Sequence, residues 1–442
     1  MKIKLLTMLV LLLSCSTLKA QEGRIKFTEY DLPNGLHVIL HPDNSTPIVA
    51  VTILYHVGSK NEVTGRTGFA HFFEHLMFEG SDNIARGEYD KINLNAGGTL
   101  NANTSEDRTF YFELLPSNQL ELGLWLESER LLHLRIDSIG VETQRAVVKE
   151  ERKQSYDNRP YGSVIEQTMS HAFKVHPYKY TPIGDPKDIN KATLQEFMDF
   201  HSMYYVPNNA TLSLAGDFDV ETVKTLIDKY FSDIPKGTKP IFRPSVVEPV
   251  KTAEVRDTVY DNIQLPAVIM SYHMPAQGTP DSYALSMLTT LLSDGQSSRL
   301  TKAIVDKQQK ALQVAAFPFA LEDPGLFIIF GLVNMGVSLT DLEASIDAEI
   351  NKVKTEDIPL IEFQKLQNKV ETDFVTGNST MAGIAENLAN YHVYFGNANL
   401  INTEIDRYMK VTPADLKRVA NQYLNKENRV VLYYLPKPKS QN

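Results

Sequence analysis

His71, Glu74 and His75 lie together in the segment GFAHFFEHLMFEG, residues 68–80, whose other members are mainly Phe, Leu and Met. In a helix, residues four apart lie one turn apart on the same face, so both imidazoles can reach a single ion. Glu74, three residues after His71, projects from nearly the same side and can contact a water in an open coordination position. The spacing H-x-x-E-H therefore indicates a zinc ion held by two histidines, with Glu74 as the general base.

A purely structural role for this pentapeptide is the alternative. The chain has 11 histidines, and the motif arises by chance in a chain of this length in about a few per cent of cases. Burying two histidines and a glutamate in an apolar helix is costly unless these groups are paired. A bound metal ion removes that cost, so we favour the zinc interpretation.

The first twenty residues have the pattern of an export signal. Lys2 and Lys4 precede the apolar run 5–13, which is too short to span a bilayer because spanning takes about 20 apolar residues. We predict a signal peptide at residues 1–20, with a lipoprotein signal ending before Cys15 as the alternative. The protein is expected to be exported, to the periplasm or outer membrane of a Gram-negative-type bacterium, and to contact a membrane only through a lipid on Cys15.

Overall composition narrows the class of protein. Of the 442 residues, 43% are hydrophobic and 22% are charged, which is typical of a globular protein. The net charge of −10 argues against a nucleic-acid partner, since binding to nucleic acid requires a basic face.

A catalytic zinc ion needs a third protein ligand, with the fourth position left for water. Cys15 is the only cysteine, and cleavage after Ala20 would leave none in the mature chain. The third ligand must then be His, Asp or Glu. The helical pattern at 141–162 offers Glu142, Glu150 and Glu151, and spacing alone does not choose among them.

Three longer segments resemble signatures of one peptidase family. They are GRTGFAHFFEHLMFEGS (65–81), LNAGGTLNANTSEDRTFYF (94–112) and QRAVVKEERKQSYDNRPYG (144–162). They are similar to the pitrilysin/insulinase family of inverzincins, most closely to the short branch that includes the mitochondrial processing peptidase β subunit. The likeness extends over the whole mature chain, including GQSSRL (295–300). It implies one Zn²⁺ per chain, hydrolysis of unfolded peptides, and two shell-like halves around a peptide cavity.

The resemblance also assigns residues. It places the third zinc ligand at Glu151 and makes Glu150 a bystander, whereas the alternative for Glu151 is a solvated helix carboxylate. It further implies that Ala102, Asn103 and Thr104 belong to an edge strand whose main chain pairs with an extended peptide substrate. An ordinary protected sheet edge is the alternative for this strand.

One feature of the family pattern is missing from the second half. Many relatives carry an Arg, followed seven residues later by a Tyr, that bind substrate across the cavity and stabilise the oxyanion. The corresponding positions hold Val305 and Leu312. We therefore expect a zinc-less homologous subunit to supply the pair, with a homodimer or a chain that works alone as alternatives.

The surrounding elements predict an α+β chain of two homologous domains, each a mainly antiparallel sheet packed with helices, forming a half-shell around a peptide cavity. The segments 192–217 and 413–436 both read as a helix, a short turn and a strand, and 48–56 parallels 267–273. Chance recurrence of such units is the alternative to duplication.

The predicted parts are a catalytic zinc-binding domain at 24–232, a proline-rich linker at 233–249 and a non-zinc domain at 250–442. Predicted strands are 36–43, 47–59, a pair within 99–115, and 209–215; predicted helices are 65–79, 117–132, 138–155, 161–174, 193–205 and 219–231.

These observations together predict a zinc-dependent metalloendopeptidase. His71, His75 and Glu151 are the expected zinc ligands and Glu74 is the expected catalytic base. A metallohydrolase acting on another substrate is one alternative. A non-catalytic scaffold or binding subunit of a two-chain assembly is the alternative from another class of protein.

Overall fold

The computed structural model describes residues 25–438. The predicted signal peptide at residues 1–20, together with Cys15, lies outside the described residues, as does residue 24, where the predicted first domain begins. Within the described range, no helix is both long enough and apolar enough to cross a membrane.

The first half of the chain forms a six-stranded sheet. Its strands are β1 (Thr28–Asp31), β2 (His37–Pro42), β3 (Ile48–Tyr55), β4 (Thr99–Thr104), β5 (Thr109–Pro116) and β6 (Ala210–Gly216). They lie in the order β1-β2-β6-β3-β5-β4. Every neighbouring pair is antiparallel except β2 with β6. Strand β4 therefore lies at one edge of the sheet, with β5 as its neighbour.

The second half forms a five-stranded sheet with the same plan. Its strands are β7 (Val255–Asp261), β8 (Ala267–His273), β9 (Ala311–Phe319), β10 (Leu326–Val333) and β11 (Arg429–Pro436). Their order, β7-β11-β8-β10-β9, repeats the order β2-β6-β3-β5-β4 strand for strand, and the parallel pair β7–β11 takes the place of β2–β6. The predicted α+β fold of two homologous domains is confirmed.

Helices pack around both sheets. Those of the first half are α1 (Phe69–Leu76), α2 (Tyr89–Asn95), α3 (Leu120–Leu132), α4 (Ser138–Arg152), α5 (Val164–Ala172), α6 (Pro186–Lys191), α7 (Leu194–Tyr204) and α8 (Val220–Phe231). Those of the second half are α9 (Pro280–Ser293), α10 (Leu339–Thr355), α11 (Leu360–Gly377), α12 (Met381–Phe395), α13 (Leu400–Thr403), α14 (Ile405–Met409) and α15 (Pro413–Tyr423). The stretch between Phe231 and Val255, which includes the predicted linker, contains neither helix nor strand.

The sequence-based helix at 65–79 is wrong at its beginning. Gly65 and Gly68 have φ values of 82° and 89°, in the left-handed region that a right-handed helix excludes and that glycine tolerates. Helix α1 consequently begins at Phe69. Strand β1 and helix α2 had no counterpart among the predicted elements, because both are short and lack a clear apolar period.

The two halves exchange one helix each. Helix α5 of the first half packs on the second sheet, where Met169 shares a buried apolar cluster with Ile269. Helix α12 of the second half packs on the first sheet, where Leu388 shares a buried cluster with Ala50. Each half therefore covers one apolar sheet face of the other, in addition to the core cluster that each half builds from its own residues.

A buried ion cluster joins the same two halves. Lys60 lies 3.0 Å from Asp107 and also contacts Glu322 and Asp323 in the loop between β9 and β10. The side chains of Lys60 and Asp107 are only 6% and 3% exposed. Burial by itself lowers the pKa of Lys60, but the neighbouring carboxylates outweigh this effect and raise it. Lys60 is therefore charged and compensates acidic groups from both halves.

Replacing this ammonium group is expected to weaken the contact between the halves. Lys60→Met should lower the free energy of unfolding by about 3 kcal/mol, because it leaves Asp107 buried without its cation. The measurement is urea denaturation followed by circular dichroism. The matched control is Lys91→Met, whose side chain is 64% exposed and should change stability by less than about 0.5 kcal/mol. Equal effects of the two substitutions would contradict the assigned role.

Candidate metal centre

Helix α1 is held in place by aromatic packing on one face. Phe69 and Phe72 stack on Phe197 of α7, with ring centroids 4.7 and 4.4 Å apart. These side chains and Phe73 are almost completely buried. The apolar face fixes the rotation of α1 about its axis, and the positions of His71, Glu74 and His75 follow from that rotation.

The beginning of α1 is fixed by a carboxylate. Glu62 accepts hydrogen bonds from the backbone N–H groups of Gly68 at 2.7 Å and Ala70 at 2.9 Å. These groups would otherwise lack intrahelical partners. Burial raises the pKa of Glu62 to about 8, and the backbone N–H donors oppose the rise. Glu62 replaces the side-chain cap that Gly68 cannot supply.

Three ligand-type atoms converge beside α1. Nε2 of His71 and Nε2 of His75 are 3.4 Å apart. Oε2 of Glu151, near the end of α4, lies 3.1 Å from the His75 nitrogen and 3.5 Å from the His71 nitrogen. The two imidazoles hold the pKa of Glu151 well below its usual range, although its partial burial opposes them. Glu151 is therefore ionised at neutral pH, the form that binds a metal.

These distances fit a zinc ion. Two ligand atoms on a tetrahedral zinc, each about 2.1 Å from the metal, are separated by about 3.4 Å. In addition, the two imidazole nitrogens and the carboxylate oxygen that face one another can all donate lone pairs to one cation. The donor set of two nitrogens and one carboxylate oxygen is also one that zinc accepts in catalytic sites.

The other carboxylates offered by the helical pattern point elsewhere. Glu150 is exposed and contacts Lys153 and Gln154. Glu142 is 67% exposed and contacts Arg145. Of the three candidates left open by spacing, the structure brings Glu151 alone to the two histidines.

Glu74 lies in the same helix as His71 and His75 and contacts the edge strand of the first sheet. The hydroxyl of Thr104, the last residue of β4, donates a hydrogen bond of 2.6 Å to Oε2 of Glu74. Along β4 the side chains alternate, so that Ala102 and Thr104 are half-buried whereas Asn103 is exposed. Of the three predicted edge-strand residues, Thr104 therefore contacts the predicted base directly.

Helices α1 and α4 are tied together at a second point. Glu79, just after α1, accepts a hydrogen bond from Gln144 of α4 and contacts Arg86. Arg86 also contacts Asp137, which caps the beginning of α4. These contacts fix the position of α4 relative to α1, and therefore the position of Glu151 relative to the two histidines.

Sequence reasoning missed Glu62, Glu79 and the bond from Thr104 to Glu74. A carboxylate near the beginning of a helix is electrostatically favourable, and that was the one available signal for Glu62. The partners of Glu79 and Thr104 are set by tertiary contacts that no local pattern encodes.

Comparisons with known proteins identify the family of the chain. Residues 37–186 match the family described as Insulinase (Peptidase family M16), and residues 191–370 match the Peptidase M16 inactive domain. The chain is 33% identical over 424 residues to the zinc protease PqqE of Helicobacter pylori, covering 95% of each chain. It is 23% identical to a protein of Arabidopsis thaliana named probable mitochondrial-processing peptidase subunit beta, covering 92% of this chain and 77% of that protein.

Solved structures show the same fold. A protease from Helicobacter pylori superposes with a TM-score of 0.90 at 32% identity, covering 94% of this chain and 100% of the other. The periplasmic protease PqqL from Escherichia coli superposes with a TM-score of 0.77 at 19% identity, covering 93% of this chain but 47% of the other. On the strength of the family matches and the Helicobacter pylori relative, this chain belongs to the insulinase family, peptidase family M16.

Proposed function

We propose that this chain is a zinc-dependent endopeptidase that hydrolyses unfolded peptides. The observation that carries the proposal is the convergence of His71, His75 and Glu151 beside Glu74, at the open edge of a sheet. The Helicobacter pylori relative is itself named a zinc protease. The proposed ligands are these two histidines and Glu151, which would hold one Zn²⁺ at this centre.

The chain's own groups divide the remaining work. A zinc ion held by these residues would act as a Lewis acid. It would polarise the scissile carbonyl and make a water molecule more acidic. Glu74 accepts the proton from the attacking water and delivers it to the leaving amine, so that the carboxylate is regenerated. The hydroxyl of Thr104 orients the Glu74 carboxylate through its hydrogen bond.

Strand β4 is the proposed substrate platform. It has a strand neighbour on one side, β5, and lies at the edge of the sheet. An extended peptide could pair with its main chain at Ala102, Asn103 and Thr104, which would bring the scissile carbonyl close to Glu74. Because only an extended chain can pair in this way, the proposed substrates are unfolded peptides within a cavity between shell-like halves.

A partner subunit completes the site in this proposal. Val305 is half-buried against the second core and Leu312 is 50% exposed, and neither side chain can bind an oxyanion. This chain covers 47% of the PqqL chain. The PqqL chain is therefore long enough to contain two such units. A zinc-less homologous subunit would supply the Arg/Tyr pair, and a homodimer is the alternative arrangement.

Export is part of the proposal as well. Residues 1–20 have the composition of a signal peptide, and one relative of the same fold is titled a periplasmic protease. The proposed location is the periplasm or the outer membrane, with a lipid on Cys15 in the second case.

Removing the base tests whether the chain is an enzyme or a scaffold. Glu74→Gln should lower cleavage of a fluorogenic unfolded peptide by at least about 100-fold, because general-base assistance is lost. Zinc content, measured by plasma mass spectrometry, should stay equal to that of the wild-type protein. If the wild-type protein, alone or with a zinc-less homologue, binds zinc but cleaves no peptide, the scaffold alternative replaces the peptidase.

Two adjacent glutamates provide a matched test of the third ligand. Glu151→Gln should weaken zinc binding by more than about 100-fold, a larger loss than that from a residue outside the coordination shell. Glu150→Gln changes the neighbouring exposed carboxylate and should leave zinc affinity unchanged. Competition with a chelator of known affinity measures both. Equal affinities in the two variants would remove Glu151 from the ligand set.

The bond from Thr104 to Glu74 gives a kinetic prediction. Thr104→Val should lower kcat about tenfold with little change in KM, since a hydrogen bond to a charged group contributes about 1.5 kcal/mol or more. Thr104→Ser keeps the hydroxyl and should restore most of the rate. Steady-state kinetics on one peptide distinguishes the variants, and a serine variant as slow as the valine variant would contradict the orienting role.

A further inference from the structure

A second group of ligand-type side chains lies outside the centre described above. Glu29 of β1, His37 of β2 and His392 of α12 each offer one ligand atom, and these atoms all lie within 4.8 Å of one another. Glu29 and His37 belong to the first half, whereas His392 lies on the helix that the second half packs against the first sheet. We call this group the interdomain cluster.

His37 is oriented as a metal-binding histidine. Asp31, paired with His37 across β1 and β2, places Oδ1 2.8 Å from Nδ1 of His37. A carboxylate on this nitrogen fixes the proton there and leaves the lone pair of Nε2 free. Nε2 is buried and has no hydrogen-bond partner within residues 25–438.

An ion pair does not account for this nitrogen. The nearest acidic atom to Nε2 of His37 is Oε2 of Glu29, at 3.5 Å. A charged imidazolium would donate its second proton to this carboxylate at about 2.7–3.2 Å. The longer separation instead resembles that between two ligands of one ion, which share a cation without touching each other.

His392 supplies the third group. Its ring stacks on that of His37 with centroids 3.4 Å apart and planes 7° apart. A neutral imidazole is a common metal ligand. Because stacked rings direct their lone pairs side by side, the His392 ring must tilt for the lone pairs to converge on one ion.

We propose that Glu29, His37 and His392 form a second metal site, for a divalent transition-metal ion such as zinc, that links the two halves of the chain. Two imidazoles and one carboxylate form a donor set suited to zinc or cobalt rather than to calcium or magnesium. An ion bound there contacts both halves only when α12 is packed on the first sheet. Binding therefore stabilises that packing by mass action.

The test isolates this site from the active centre. In untagged protein carrying His71→Ala and His75→Ala, titration with Co²⁺ should give a ligand-field absorption band that saturates at one equivalent. Adding His37→Gln or His392→Gln should abolish the band. Adding His133→Gln, at a histidine whose side chain is 38% exposed, should leave the band unchanged.

A second measurement uses the intact active centre. Wild-type protein dialysed with zinc should hold two equivalents, and His37→Gln should hold one while peptide cleavage continues. Zinc should also raise the thermal midpoint of the wild type by more than that of His37→Gln. A cobalt band that is absent, or that persists without His37, would overturn the proposal. A loss of stability in His37→Gln that is equal with and without zinc would instead identify His37 as an ion-pair partner.

Discussion

The close approach of His71, His75 and Glu151 is the constraint on which the rest of the first half depends. Three polar groups on two helices lie within 3.5 Å of one another. A small shift of either helix would separate these groups. Phe197 fixes the rotation of the histidine helix by stacking, and Glu79 ties that helix to the one that carries Glu151. The surrounding packing therefore holds the three candidate ligands in place, which would leave little reorganisation for the binding of an ion.

Among residues 25–438, the ligand-type groups at this centre come from the first half, and the second half contributes by covering the other face of the first sheet. Helix α12 covers the apolar face of that sheet, and Glu322 and Asp323 surround Lys60. The same helix carries His392 to the interdomain cluster. The second half thus covers one face of the first sheet, whereas the core beside the candidate metal centre, which includes Phe72, Phe73 and Phe197, is built from first-half residues.

The sequence predicted those features that depend on local spacing. The positions of His71 and His75 one turn apart, the alternating strands and the repeated helix–strand units are local patterns, and the structure contains them. Selecting Glu151 over Glu150 required family resemblance, because their difference lies in which face of α4 meets the histidines. The contacts of Glu62 and of Thr104 with Glu74, like the meeting of His37 with His392, depend on the packing of distant segments, and no period in the sequence encodes them.

The central claim is that two histidines of one helix and one glutamate of another hold a catalytic zinc. Its most direct test is anomalous diffraction at the zinc edge from crystals of the protein. The account predicts a peak about 2.0–2.2 Å from Nε2 of His71, Nε2 of His75 and a carboxylate oxygen of Glu151, with Glu74 outside bonding distance. No peak at this position, or a peak bound by Glu74 or Glu150 in place of Glu151, would contradict it.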